Sequence, residues 1–173
     1  MATLEKLYDV DIAYYARVNF TSLIKIVDAL GGVDVNSEYA FSAGGYSFSK
    51  GMNHMDGKKA LAFSRERSSF SDGDNQRGKN QEAVLSAIIQ KAASPAILTS
   101  ANQILGNIGD SVETNMTHEE MAQLINMQLS DGGSWSVESQ AASGQGDTQS
   151  CFSSGAQKLY VMWPDESVIE ELS

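Results

Sequence analysis

The sequence is poor in cysteine, proline and positive charge, and it has no long apolar run. A single cysteine, Cys151, excludes an internal disulfide framework. No histidine stands at a recognisable spacing from it, so a cysteine nucleophile is not expected. Only two prolines accompany a hydrophobic content of 42%, which fits an ordered globular chain. Basic residues number 12 against 22 acidic ones, giving a net charge of −10. That balance argues against nucleic acid as a partner, because phosphate neutralisation needs a broad basic face. No stretch is long and apolar enough to span a membrane. No signal peptide is read at the start, where Met1 to Glu5 leads straight into helix-like sequence. A chain of 173 residues is expected to form one domain, 1–173, with a real core.

What the sequence does have is a concentrated polar stretch from Arg65 to Gln81. It holds four cations (Arg65, Arg67, Arg77, Lys79), three acids (Glu66, Asp72, Asp74) and two glycines. A cationic cluster in an acidic chain suggests a local anion site. If Arg65 and Arg67 lie on extended chain, residues two apart point to the same side. Ser71 to Asp74 reads as a turn, with a helix starting near Asp74. Arg77 and Gln81, four apart, then share a face of that helix. A helix N-terminus with planar guanidinium forks suits a phosphate or pyrophosphate better than a single carboxylate. The alternative is an exposed polar loop whose arginines pair with Glu66, Asp72 and Asp74.

Arg-x-Arg, Asp-Gly-Asp and Arg-Gly-Lys-Asn-Gln, in that order, resemble the signature of the LytR–CpsA–Psr (LCP) cell-envelope family. Tyr15 to Phe20, Val27 to Val35 and Met55 to Leu61 resemble its preceding segments. The resemblance implies a three-layer α/β fold, a mostly β central sheet flanked by helices on both faces around a long apolar pocket. It also implies a fragment, incomplete at the N-terminus, that forms the C-terminal larger part of the catalytic domain.

The implied activity is phosphoryl transfer of a glycopolymer (teichoic acid, capsule or a related chain) from a polyprenyl-pyrophosphate carrier to peptidoglycan. Such chemistry rests on positioning and charge neutralisation, often with Mg²⁺. By resemblance, Arg65, Arg67, Asp74 and Arg77 are the catalytic candidates. Arg65, Arg67, Arg77 and Gln81 are the substrate-binding ones. Asp74 orients an arginine, contacts a metal shell or simply caps the helix. No metal ligand is assigned in the chain: Mg²⁺ is expected for the intact domain, its ligands lie in the missing N-terminal part, and binding here should be weak or absent. His54 and His118 form no metal-ligand spacing. The resemblance places the parent outside the cell on an N-terminal membrane anchor. A missing strand would leave a sheet edge open to homodimerisation. Two other readings stand beside transfer. One is a polyprenyl-pyrophosphate binding module without turnover. The other is the transcriptional attenuator of the family's older label, which the net charge and the lack of a basic recognition helix oppose.

Periodicity supplies the rest. Helices are expected at Thr3–Asp9, from Asn19 or Thr21 to Gly31-Gly32, at Asp56–Ser64, Asn75–Ala92, from Pro95 to about Ile108, from Thr117 to about Leu129, and at Ser167–Leu172. Val84, Leu85, Ile88 and Ile89 are expected to form one buried stripe. Strands are expected at Ile12–Val18, Val33–Val35, Trp135–Ala141 and Leu159–Trp163, the last with the apolar character of a buried sheet. Asn36–Asn53 reads as irregular, with a short strand at Tyr46–Phe48. Its aromatics either pack on one another or wall an apolar ligand. Ser143–Gly155 reads as a mobile loop. Periodicity does not divide Leu85, Ile88, Ile89, Leu98, Ile104 and Leu105 between core and pocket.

Overall fold

A computed structural model of the chain describes residues 1–71, 73–100, 104, 106, 112–131 and 142–171. It contains two compact units, Ala16–Val137 and Met1–Tyr15 with Glu138–Ser173. Helices and strands mix along the chain, giving the expected α/β class. Among the described residues the strands pair as four antiparallel two-stranded ladders.

The larger unit begins with a two-residue strand, β1 (Ala16–Arg17), paired with Glu113–Thr114 (β6). The expected strand at Ile12–Val18 is thus shorter than its apolar pattern suggests, because its ladder reaches only as far as its partner does. Helix α2 (Phe20–Ala29) starts at Asn19, whose side chain accepts from the Ser22 N–H at 2.9 Å. Gly31 and Gly32 end it at φ 74° and 88°, left-handed values that glycine adopts without steric cost. Strand β2 (Val33–Ser37) follows and pairs over its whole length with β5 (Gly51–Met55).

Between them lies the largest departure from the sequence reading. Asn36–Asn53 is mostly strand, with a second ladder of β3 (Phe41–Ala43) and β4 (Tyr46–Phe48). The glycines do this: Gly44 and Gly45 turn the inner ladder at positive φ, and Gly51 restarts β5 at φ 95°. Buried Asn53 holds the corner, accepting from Ser49 N–H and donating to the carbonyls of Ser49 and Gly51. Phe41 and Phe48 turn inward onto Phe63, with ring centroids 4.8–5.3 Å apart. Their role is core packing, since they line neither of the apolar cavities described below.

Helix α3 (Gly57–Arg65) is capped by Asp56, which accepts from the Lys59 N–H at 2.8 Å. It lies so close to α2 that a Cβ on Gly57 would meet the backbone of Ile24. The Gly57 N–H donates to Asp28 at 2.8 Å, tying the two helices together. Helix α4 (Gly73–Ala92) covers β2 and α3. Val27, Val33, Val35, Met55, Phe63 and Val84 are fully buried between these elements and make the centre of the core. Leu85 departs from the expected stripe and is 57% exposed, because it faces a cavity instead of the core.

After Ser94, α5 is the single turn Pro95–Leu98, closed at Thr99. The expected continuation to Ile108 falls largely outside the described residues. Helix α6 (His118–Asp131) opens on the expected capping box: Glu120 accepts from Thr117 at 2.7–2.8 Å, and the Glu120 N–H returns a bond to Thr117. The strand expected at Trp135–Ala141 lies outside the described residues.

The smaller unit holds α1 (Ala2–Tyr8), a hairpin of β7 (Gly144–Ser150) and β8 (Lys158–Pro164), and α7 (Glu166–Glu171). Two expectations are corrected here. Gly144–Ser150 is strand rather than mobile loop, because all seven of its residues pair in register with β8. Strand β8 is solvent-exposed rather than buried, with Tyr160 at 77% and Trp163 at 56%. Asp147 accepts from the Gln149 amide, the Thr148 N–H and the Trp163 indole, and these bonds hold its carboxyl below the usual range.

Candidate functional site

The Arg65–Gln81 stretch starts where α3 stops. Arg65 is the last residue of that helix, and Glu66 is extended at ψ 134°. The two arginines therefore do not alternate along one extended segment as expected. Arg65 projects from a helix end and Arg67 lies in the loop beyond it. The Arg65 guanidinium lies over the Phe20 ring, 4.6 Å from its centroid. Stacking on an aromatic face holds the planar cation while leaving its donors at the edge.

The loop from Glu66 to Ser71 is braced from within. Glu66 accepts from the Ser68 hydroxyl and the Ser69 N–H, each at 2.7 Å. The Ser68 bond is the main reason its carboxyl titrates below the ordinary value, with the Ser69 N–H adding to it. Glu66 thus serves the loop backbone. Phe70 pins the loop to the hairpin aromatics, 4.9 Å from Phe41 and 5.9 Å from Tyr39. Helix α4 then begins at Gly73, where a Cβ would come within 2.8 Å of the Arg67 carbonyl oxygen. The lack of a side chain there lets the start of α4 lie against the Arg67 backbone. Asp74 stands in the first turn of α4 as expected, Arg77 one turn on, and Gln81 one turn further on the same face. Asp72 lies outside the described residues. Lys79 reaches Glu38 at 3.8 Å, on the exposed side.

Arg65 and Gln81 meet at one cavity. It has a volume of about 540 Å³, and Asn19, Ser64, Arg65 and Gln81 are the polar residues of its wall among those described. The remaining wall is apolar and includes Phe20, Leu23, Val84, Leu85 and Ile88. A second cavity of about 300 Å³ is lined, among the described residues, by apolar side chains alone, including Leu30, Leu98, Ile104 and Met121. Ile26 and Ile88 belong to both walls, so the two cavities adjoin across this pair. This divides the residues that periodicity leaves open. Leu85 and Ile88 line the first cavity, while Ile88, Leu98 and Ile104 line the second. Ile89 lines neither, and Leu105 lies outside the described residues. Arg67 and Arg77 are not in the wall of either cavity; they sit around the start of α4. A separate polar groove at Asn36–Tyr39, Lys50 and Gly51 holds none of the expected site residues.

The family model described as LytR_cpsA_psr matches residues 1–166. The chain belongs to the LytR–CpsA–Psr family. Among relatives of this LCP chain is a polyisoprenyl-teichoic acid–peptidoglycan teichoic acid transferase, TagU, of Bacillus mycoides (strain KBAB4). It is 44% identical over 121 residues, which are 70% of this chain and 40% of that protein. The matched stretch thus spans well under half of the relative's length. Among solved structures, B. subtilis TagU superposes with a TM-score of 0.72 at 30% identity, covering 99% of this chain and 66% of that one. A structure of TagT bound to LI-WTA superposes at 0.72 and 26% identity, covering 99% and 62%.

Three residues in or beside the Arg65–Gln81 stretch of this LCP chain went unread in the sequence. Phe20 is the platform for Arg65, and Asn80 and Gln76 are buried polar residues of α4. The last two had a readable signal. The phase of Val84, run backwards by four and eight residues, lands on Asn80 and Gln76, placing two amides on the buried face. Among the described residues no group of three or more His, Cys, Asp or Glu comes together. Among the described helices none is long and apolar enough to cross a membrane.

Proposed function

We propose that this chain binds the pyrophosphate and the first part of the tail of a polyprenyl-linked glycopolymer, and that it serves the transfer of that polymer to peptidoglycan at the outer face of the bacterial cytoplasmic membrane. One observation carries the reading. Among the described residues, a cavity with Arg65 and Gln81 in its polar wall is mostly apolar elsewhere, and it adjoins a second cavity with an apolar lining. An amphiphile with an anionic head and a hydrocarbon tail has that distribution of polarity. Names of relatives support it: TagU proteins are teichoic acid transferases, and TagT has been seen with LI-WTA.

The chemistry asked of the protein is modest, because phosphoryl transfer depends mainly on placement and on neutralising charge. Arg65 would grip the pyrophosphate as a planar fork, held by the Phe20 ring. Gln81 would donate an amide hydrogen beside it. Arg67 and Arg77, at the start of α4, would add positive charge where free helical N–H groups already favour anions. In this reading Asp74, inside the first turn of a helix that already begins at Gly73, is left to orient an arginine rather than to cap α4.

Calorimetry with geranylgeranyl pyrophosphate tests the reading. The wild-type chain is expected to bind, and Arg65→Ala to weaken binding by about 1.5–3 kcal/mol, the range for hydrogen bonds to a charged group. Equal affinity in Arg65→Ala would place the phosphate elsewhere. Assay of glycopolymer transfer by the same protein then separates an enzyme from a carrier that only binds.

A further inference from the structure

We propose that Asn80, backed by Gln76, is a positioning residue that sets where Arg65 stands relative to Arg77 and Gln81. The inference rests on the reading of this site as a pyrophosphate site. The Asn80 amide donates to the Phe63 carbonyl at 3.4 Å, and the Gln76 amide donates to Asn80 Oδ1 at 3.1 Å. Both side chains are buried, at 3% and 6% exposure.

Three features make this a clamp rather than an ordinary core contact. The first is the bond's address. Phe63 lies in the last turn of α3, where carbonyls lose their helical donors. With Glu66 extended, the helix does not continue to supply one, and the Asn80 amide stands in. The second is orientation. Gln76 occupies Asn80 Oδ1, so the Asn80 amide nitrogen faces Phe63 and cannot flip without losing both bonds. The third is leverage. Arg65 is two residues beyond Phe63 in the same helix, about 3 Å along the axis. Asn80 lies between Arg77 and Gln81 in sequence, on a rigid helix. A bond from Asn80 to Phe63 therefore fixes the two halves of the proposed anion site to each other. Two amides on the buried face of α4 give up apolar packing that Val84 and Ala87 supply further along. A device that sets geometry explains their presence where a leucine would fill the space.

The test compares Asn80→Leu and Asn80→Asp with wild type, in the same chain, against two probes. Geranylgeranyl pyrophosphate needs both head and tail contacts, whereas geranylgeraniol needs only the tail. Both variants are expected to bind the pyrophosphate roughly tenfold or more weakly, from the loss of one buried bond and the misplacement of Arg65. Affinity for the alcohol should be unchanged, which also reports that the chain is folded. In the Arg65→Ala background, the uncharged Asn80→Leu should weaken pyrophosphate binding no further, since Asn80 acts through Arg65. Equal loss for both probes, or full additivity with Arg65→Ala, would reduce Asn80 to a structural residue and overturn the proposal. Wild-type affinity for the pyrophosphate in both Asn80 variants would overturn it too, leaving the site reading intact. Failure of the wild-type chain to bind the pyrophosphate would instead overturn the site reading, and the positioning role with it.

Discussion

Two antiparallel ladders of this chain have opposite fates. In β2–β5 the side chains alternate, and Val33, Val35 and Met55 are buried. In β7–β8 seven pairs form in register, yet every residue of β7 is exposed and β8 is exposed or half-buried throughout. By composition the ranking would be reversed, because Leu159 to Trp163 is the more apolar run. The difference is what lies across the ladder. The buried face of β2 is covered by α4, and Val84 of α4 joins its valines in the core. Strand β8 is paired with Gly144–Ser150, whose small and polar side chains offer little for it to pack against. Hydrogen bonding makes a strand; a covering element makes it part of a core. Among the described residues of the smaller unit none is buried.

Paired substitutions can break this comparison. The largest expected effect is Phe63→Ala, which empties the centre of the aromatic group formed with Phe41 and Phe48. A loss of about 3–5 kcal/mol is expected in urea unfolding. Tyr160→Ala in β8 should stay within about 0.5 kcal/mol, as exposed positions do. Similar losses at both sites would show that β8 contributes to the cooperative core after all.

Glycines sharpen the contrast at intermediate size. Gly57→Ala drives a methyl into the backbone of Ile24, which cannot swing aside, and about 1–3 kcal/mol should be lost. Gly146→Ala meets only the end of the exposed Tyr160 side chain, which can rotate away. Its melting temperature should match that of wild type within error. The smallest effect concerns Glu66. Its folded pKa lies below the ordinary 4.5, so its contribution is present above that pH and is lost as pH falls through the folded value. The melting-temperature gap between wild type and Glu66→Gln should therefore close on acidification. A gap that widens in acid would mean that Ser68 and Ser69 do not favour the carboxylate.

Local signals carried much of this fold into the sequence. Asn19, Asp56 and the Thr117–Glu120 box mark helix starts because a cap is a contact within four residues. Gly31-Gly32 marks an end for the same reason. The β3–β4 ladder was legible only at Tyr46–Phe48, since its existence depends on pairing across Gly44-Gly45 and on Phe63, which is remote in sequence. The exposure of β8 was not legible, because burial depends on other segments. At the candidate site, the arginines and Gln81 stood out by composition and by their resemblance to a family. The Phe20 platform did not, because its partner Arg65 lies 45 positions away and nothing local links them.

Helix α3 is held at both ends: Asp56 and Asp28 bind its start, and Asn80 binds its last turn. It is nine residues long, and Arg65 is its final residue. Its residue count therefore behaves as a setting. With the start anchored, one inserted residue would carry Arg65 about 100° around the axis and about 1.5 Å along it. The guanidinium would leave the Phe20 ring, and the carbonyl offered to Asn80 would belong to a different residue. Side chains on this helix can drift while the core stays filled, but its length cannot change without moving the charge it carries.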